Sequence, residues 1–166
     1  MFNVPQKIVS DEENVVRILS NGWVVDGVLQ QTAFTLRDGE TYISVNRPAV
    51  SSFASDVALF VKSHKNFQTP NSGSLTYQSA VMNVGAIRGI VVTVDNQPLA
   101  IDVEVEPRDV FTKSHAGIFT RHGNKNVKTG GTLAVGLEEN LSADAVLLKV
   151  RLALMRISAI KQSEVQ

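Results

Sequence analysis

The sequence predicts an α+β fold, a single domain over residues 1–166 in which a largely antiparallel sheet is flanked by three helices. Three observations lead there. The order of patterned stretches is helix, strands, helix, strands, helix, without the regular strand–helix alternation of a parallel sheet. Asp38-Gly39 and Asp95-Asn96-Gln97-Pro98 sit between apolar runs, as the tight turns of antiparallel strands do. And 166 residues, 43% hydrophobic and 19% charged, suit one core, with no repeat or linker dividing them.

Ser10-Asp11-Glu12-Glu13 has the S-x-x-E form of a capping box. Val15, Val16, Ile18 and Leu19 follow at spacings that fit one helical face, and Asn21-Gly22 supplies a stop. A helix is therefore expected over about 11–20. Trp23–Leu29 reads as β-like, with Asp26-Gly27 inside it. Ala33–Leu36 and Thr41–Arg47 flank Arg37-Asp38-Gly39-Glu40 and predict a hairpin, ended by Pro48. On its second arm Thr41, Ile43 and Val45 face one way and Tyr42, Ser44 and Asn46 the other.

A second helix is expected over about 52–64. Ser51 or Ser52 would cap it, Phe53, Val57, Phe60 and Val61 form its apolar face, and Asp56 suits its positive first turn. Residues 65–73 read as loop. Leu75–Val84 fits helix or strand, with Gly85 and Gly89 disfavouring helix. Ile90–Val94 and Leu99–Glu106 read as strands. In the latter Ile101, Val103 and Val105 alternate with Asp102, Glu104 and Glu106, giving one buried and one acidic face. His115–Thr120 is a further strand and 121–131 a basic loop. Ser142 caps a third helix, 143–161, whose apolar face is expected to centre on Ala145, Leu148, Leu152 and Ile160.

Bulk composition excludes several function classes. Sixteen Lys+Arg against sixteen Asp+Glu leave no net charge, so bulk attraction to nucleic acid or to a membrane surface is not expected. With no cysteine there is no disulfide, thiolate zinc site or cysteine nucleophile. No secretory leader is expected at the start of the sequence. The apolar segment 143–160 is interrupted by Lys149, Arg151 and Arg156, so it reads as a buried helix and not a membrane span. A soluble, cytoplasmic protein is the expectation.

The local chemistry is more informative. Between Arg108 and Lys128 lie five Lys/Arg and two His against one acid, Asp109. Gly123, Gly130 and Gly131 would let backbone N–H groups approach an anion, although the stretch lacks the P-loop spacing. It is either a phosphate-binding edge or a solvated loop answering the acidic strand. His115, at a strand start, is either a general acid/base or a structural histidine. His122 stands beside Arg121, and His64 suits a helix C-terminus and nothing more. Three histidines without paired spacing support no metal site. Ser44 and Asn46, on one strand face, either pin the core or line a pocket. No G-x-S-x-G elbow and no G-x-G-x-x-G after a strand is present.

Arg17, Ala33-Phe34, Ile43-Ser44-Val45, Pro107 and His115-Ala116 form a skeleton that resembles a group of small uncharacterised bacterial proteins with an Arg in the first helix, an "AF" strand, an "(L/I)SV" strand and a late "HA" strand after a proline. The resemblance covers about residues 11–118. It implies no activity, but implies that Arg17, Ser44, Asn46 and His115 converge in space. An Arg followed by a strand Ser and further polar positions on a split sheet also resembles ADP-ribosyltransferase-like folds, without a matching later Glu.

Two functional readings follow. One is a binding or accessory module for an anionic or protein partner, homo-oligomerisation included. The other is a small enzyme acting on a nucleotide or phosphate-bearing substrate, by ADP-ribosyltransferase-like or phosphoester chemistry. In the second, His115 is acid/base, with Ser44 and Arg17 completing the catalytic group. Asn46, Arg47, Arg121, His122 and Lys125 are the ligand-binding candidates, the arginines because a planar guanidinium meets phosphate oxygens bidentately. No cofactor or metal is expected.

Overall fold

A computed structural model describes residues 9–70, 73–105, 112–135 and 139–165. Glu106, Pro107, Arg108 and Asp109 lie outside the described residues. The fold is α+β, three α-helices with a largely antiparallel sheet. The strands are β1 (Asn14–Leu19), β2 (Val24–Val25), β3 (Val28–Leu29), β4 (Tyr42–Asn46), β5 (Thr76–Asn83), β6 (Thr93–Val94), β7 (Gln97–Pro98), β8 (Ala100–Val105), β9 (His115–His122), β10 (Lys125–Asn126), β11 (Thr132–Val135), β12 (Glu139–Ser142) and β13 (Ala159–Glu164). The helices are α1 (Phe53–Ser63), α2 (Val84–Arg88) and α3 (Ala143–Ile157). The main sheet has seven strands in the order β10-β9-β4-β1-β5-β13, with β8 also paired to β9. All its described pairings are antiparallel.

The first expected helix is instead the strand β1. It pairs with β5 along its whole length and is buried on both faces, Val15 and Leu19 in the main core and Ile18 in a smaller cluster with Val57, Val61 and Tyr77. A strand covered on both faces is almost continuously apolar, and such a short run does not distinguish strand from helix. Its β-branched residues suit the sheet. The capping-box contact exists, Glu13 Oε2 accepting from the Ser10 amide at 2.9 Å, but it closes a turn ahead of a strand. Arg17 is accordingly a strand residue.

The expected hairpin around Asp38-Gly39 has only its second arm. Gly39 does turn the chain, at φ +83°, but Ala33 and Phe34 lie in a 3-10 turn and are buried. A tight hairpin forms earlier, where Asp26 and Gly27 take φ +51° and +77° between β2 and β3. Asp95 and Asn96 make the same kind of turn between β6 and β7, which shortens the strand expected at 90–94. Leu75–Val84 resolves into strand β5 followed by α2, which Asn83 caps by accepting from the Ala86 amide at 2.9 Å. The basic loop is partly ordered as a hairpin, with β10 folded back on β9 through Gly123 at φ +61°.

The third helix starts where expected and stops sooner, at Ile157. Residues 159–164 then form β13 on the edge of β5. Its buried face is Val146, Leu147, Val150 and Leu154, whereas Leu148 is exposed and Ile160 lies in β13. These residues pack with Ile43, Val45, Ile101, Val103, Ala116 and Ile118 in the main core. On the opposite sheet face, α1 packs Val57 and Val61 against Ile18 and Tyr77. Phe53 and Phe60, expected on its apolar face, are half-buried around that smaller cluster.

Candidate functional site

The site forms where the sheet parts. β1 and β4 pair at a single register position, Val16 opposite Asn46. Had the ladder continued, Ser44 would lie opposite Ile18. Instead the Ser44 carbonyl accepts from Arg17 Nη1 at 2.9 Å, and the Ala33 carbonyl accepts from Arg17 Nε at 3.1 Å. A side chain has replaced the backbone donor of the missing ladder bond. The guanidinium lies 5.1 Å from the centre of the Trp23 ring, a cation–π distance.

Beside this opening lies a cavity of about 460 Å³, within the range of small-molecule sites, roughly 300–1,000 Å³. Ser44, Asn46 and His115 line it from β4 and β9. Antiparallel pairing places Asn46 opposite His115 and Ser44 opposite Gly117, so their side chains share a face. Arg17 lines it from β1, and Trp23, Thr35, Arg37 and Glu40 from the chain between β1 and β4. Asp56, Leu59, Phe60, Ser63 and His64 line it from α1, with Phe67 and Thr112 nearby.

One wall is aromatic. Phe60 and the His64 ring stack at 4.4 Å, and Phe67 meets Phe60 edge-on at 4.9 Å and Trp23 at 5.7 Å. His64 Nδ1 donates to the Phe60 carbonyl at 2.8 Å, closing the end of α1. Its sequence reading as a helix-end residue and nothing more is thus incomplete, because the ring also forms cavity wall. The Tyr42 ring lies beside His115 at 6.1 Å and Phe119 at 5.0 Å. It can do so because position 117 is glycine. A Cβ there would come within 2.6 Å of the Tyr42 ring.

The opposite wall is polar and braced by Ser114, which is fully buried. Asp56 Oδ2 accepts from the Ser114 hydroxyl at 2.7 Å, from the Ser114 amide at 3.1 Å and from the Ser52 hydroxyl at 2.8 Å. The Ser52 hydroxyl therefore serves Asp56 and makes no cap bond of its own. With its proton given to Asp56, the Ser114 oxygen accepts from Asn46 Nδ2 at 2.9 Å.

Arg17 is electrostatically distinctive. Burial lowers its pKa to about 10, a shift that nearby Arg37 adds to and Glu40 opposes. It remains a cation at neutral pH. Among the described residues it forms no ion pair, and its Nη2 has no protein acceptor.

The structure therefore brings Arg17, Ser44, Asn46 and His115 to one cavity. It does not bring the other candidates there. Arg47 is buried and forked on Glu13, with Nε–Oε1 at 3.0 Å and Nη2–Oε2 at 2.9 Å. Arg121 pairs with Glu104, donates to Asn126 Oδ1 at 3.0 Å and stacks on Phe119. His122 and Lys125 face each other across the β9–β10 hairpin, away from the cavity lining. The acidic face of β8 is likewise answered by cations, Asp102 by Arg88 at 2.7 Å and Glu104 by Arg121. Asp56, Arg37 and the aromatic wall had no functional reading in the sequence. A usable signal was the i, i+4, i+8 spacing of Asp56, Phe60 and His64, which puts all three on one face of α1. No protein-family model, no curated protein and no solved structure matches the chain.

Proposed function

We propose that the protein is a binding module for a small organic anion with an apolar body. The cavity beside the β1–β4 parting holds the ligand, and Arg17 meets its acidic group. One observation carries this reading. Arg17 is a half-buried cation with no carboxylate partner among the described residues, beside a cavity walled by Phe60, His64 and Phe67. A half-buried charge without a counter-ion is partly desolvated, at some cost to the fold. A ligand anion would recover that cost. The aromatic wall would supply the apolar contact that gives most small ligands their affinity.

The test is a thermal-shift series with benzoate and 3-phenylpropionate, set against the uncharged benzyl alcohol. Ligand bound to the native state must raise the melting temperature. The acids should stabilise the protein and the alcohol should not, and Arg17→Met should abolish the acid effect. Equal shifts for acid and alcohol, or acid stabilisation that survives Arg17→Met, would refute the reading.

A catalytic reading has its own support, because Ser44 and His115 share the cavity with Arg17. In that case a phosphate-bearing substrate would set its anion on Arg17, with His115 as acid/base. Turnover of p-nitrophenyl phosphate by the native protein, absent in His115→Ala, would establish it. No turnover leaves the binding module.

A further inference from the structure

The two polar ends of the cavity differ in kind. At the β1–β4 parting Arg17 Nη2 and, at the rim, Arg37 offer donors, with the Glu40 carboxylate beside them. At the Ser114 end the groups on offer are acceptors. Ser114 orients both residues there. Its hydroxyl proton goes to Asp56 Oδ2, so it can only accept from Asn46, which fixes the Asn46 amide with Nδ2 inward. Each residue is then left with an oxygen, Asp56 Oδ1 and Asn46 Oδ1, that receives no donor among the described residues. The charged side chains lining the cavity also balance, with Arg17 and Arg37 against Glu40 and Asp56. Glu40 sits with the two arginines, accepting from the Arg37 amide, so the parting keeps one net positive charge and the Asp56 end one negative, a pairing that does not favour a highly charged anion. It favours a ligand that carries both signs.

From this we infer that the ligand is zwitterionic, an amine-bearing carboxylic acid of the amino-acid class. Its carboxylate lies on Arg17, its ammonium on Asp56 Oδ1 and Asn46 Oδ1, and its apolar part against Phe60 and Phe67. An ammonium donates three hydrogen bonds and accepts none, matching two outward acceptor oxygens beside an aromatic face. This inference rests on the anion-binding reading above and adds the second pole. It also gives the buried Ser114 a positioning role, since one hydroxyl holds both acceptor residues.

The experiment is isothermal titration at neutral pH with ligands that differ only in the amine. Phenylalanine carries adjacent charges and 4-(aminomethyl)benzoate carries separated ones. Their amine-free or blocked partners are 3-phenylpropionate, N-acetylphenylalanine and 4-methylbenzoate. At least one zwitterion should bind about tenfold more tightly than its partner, the worth of one charge-assisted hydrogen bond. In Asp56→Asn that advantage should vanish while binding of the amine-free acids persists. The wild-type series decides the matter even if Asp56→Asn fails to fold. Acids binding as tightly as both zwitterions would overturn the inference and leave the anion reading intact. Binding by none of the five compounds would overturn both.

Discussion

Arg17 and Arg47 flank the same region of sheet and have opposite surroundings. Arg47, one residue past β4, is buried with the Nε–Nη2 edge of its guanidinium engaged by one carboxylate, Glu13. Arg17, in β1, is half-buried, and among the described residues only backbone carbonyls accept from it. The first arrangement is complete within the chain and ties the turn before β1 to the end of β4. The second is incomplete within the chain and opens on a cavity. An arginine becomes a site candidate through what it lacks, and position in a polar run does not reveal that.

The largest effect should come from breaking the complete pair. Glu13→Ala leaves Arg47 buried without a counter-charge and should cost about 3 kcal/mol or more in chemical denaturation. The same pair sets an acid limb in the stability curve. Burial pushes the Glu13 carboxyl up, but hydrogen bonds from Arg47 and the Ser10 amide, with the charges of Arg47 and Arg88, more than offset it, so its pKa is lowered. A lowered folded-state pKa contributes stability that is fully present above the unfolded carboxyl range and is lost as pH falls through the folded value. Melting temperatures from pH 7 down to 3 should therefore fall less steeply in Glu13→Gln than in the native protein. Parallel curves would remove Glu13 from the acid limb.

Next in size is Gly117→Ala. The added Cβ meets the Tyr42 ring, so the ring or the β4–β9 pairing must shift, at about 1–3 kcal/mol. An unchanged denaturation midpoint would show that the Tyr42 ring moves freely. Arg17→Met should cost less than the Glu13 substitution, about 1 kcal/mol. Two carbonyl hydrogen bonds are lost, but so is a half-buried charge without a carboxylate partner among the described residues. A loss matching that of Glu13→Ala would make Arg17 a structural residue like Arg47. The smallest change is expected for Glu104→Gln. Its partnership with Arg121 is partly exposed, with 41% and 28% of the two side-chain surfaces accessible, and should be worth under about 1 kcal/mol.

The sequence reveals the fold class and part of the site. Alternation along 42–46 and 100–105 marks strands with one wet face, and the amphipathic spacing of 53–63 marks α1. Arg17, Ser44, Asn46 and His115 stand out as candidates in the sequence, and they share a cavity. Elsewhere local pattern is outweighed by tertiary placement. Residues 14–19 look helical because a central strand needs apolar side chains on both faces. Residues 159–161 continue the expected helix, yet 159–164 pair with β5. Arg47 and Arg121 cannot be told from Arg17 in sequence, because Glu13 and Glu104 reach them only through the folded sheet. Asp56 is hidden for a similar reason, since the serine that orients it is 58 residues away.

Titration of the native protein with 3-phenylpropionate, followed by the arginine side-chain Nε–H resonances, probes the difference between the two arginines most directly. The Arg17 signal should shift progressively and saturate while that of Arg47, satisfied by Glu13, stays in place. A stationary Arg17 signal, or Arg17 and Arg47 moving together without saturation, would contradict an anion site at Arg17.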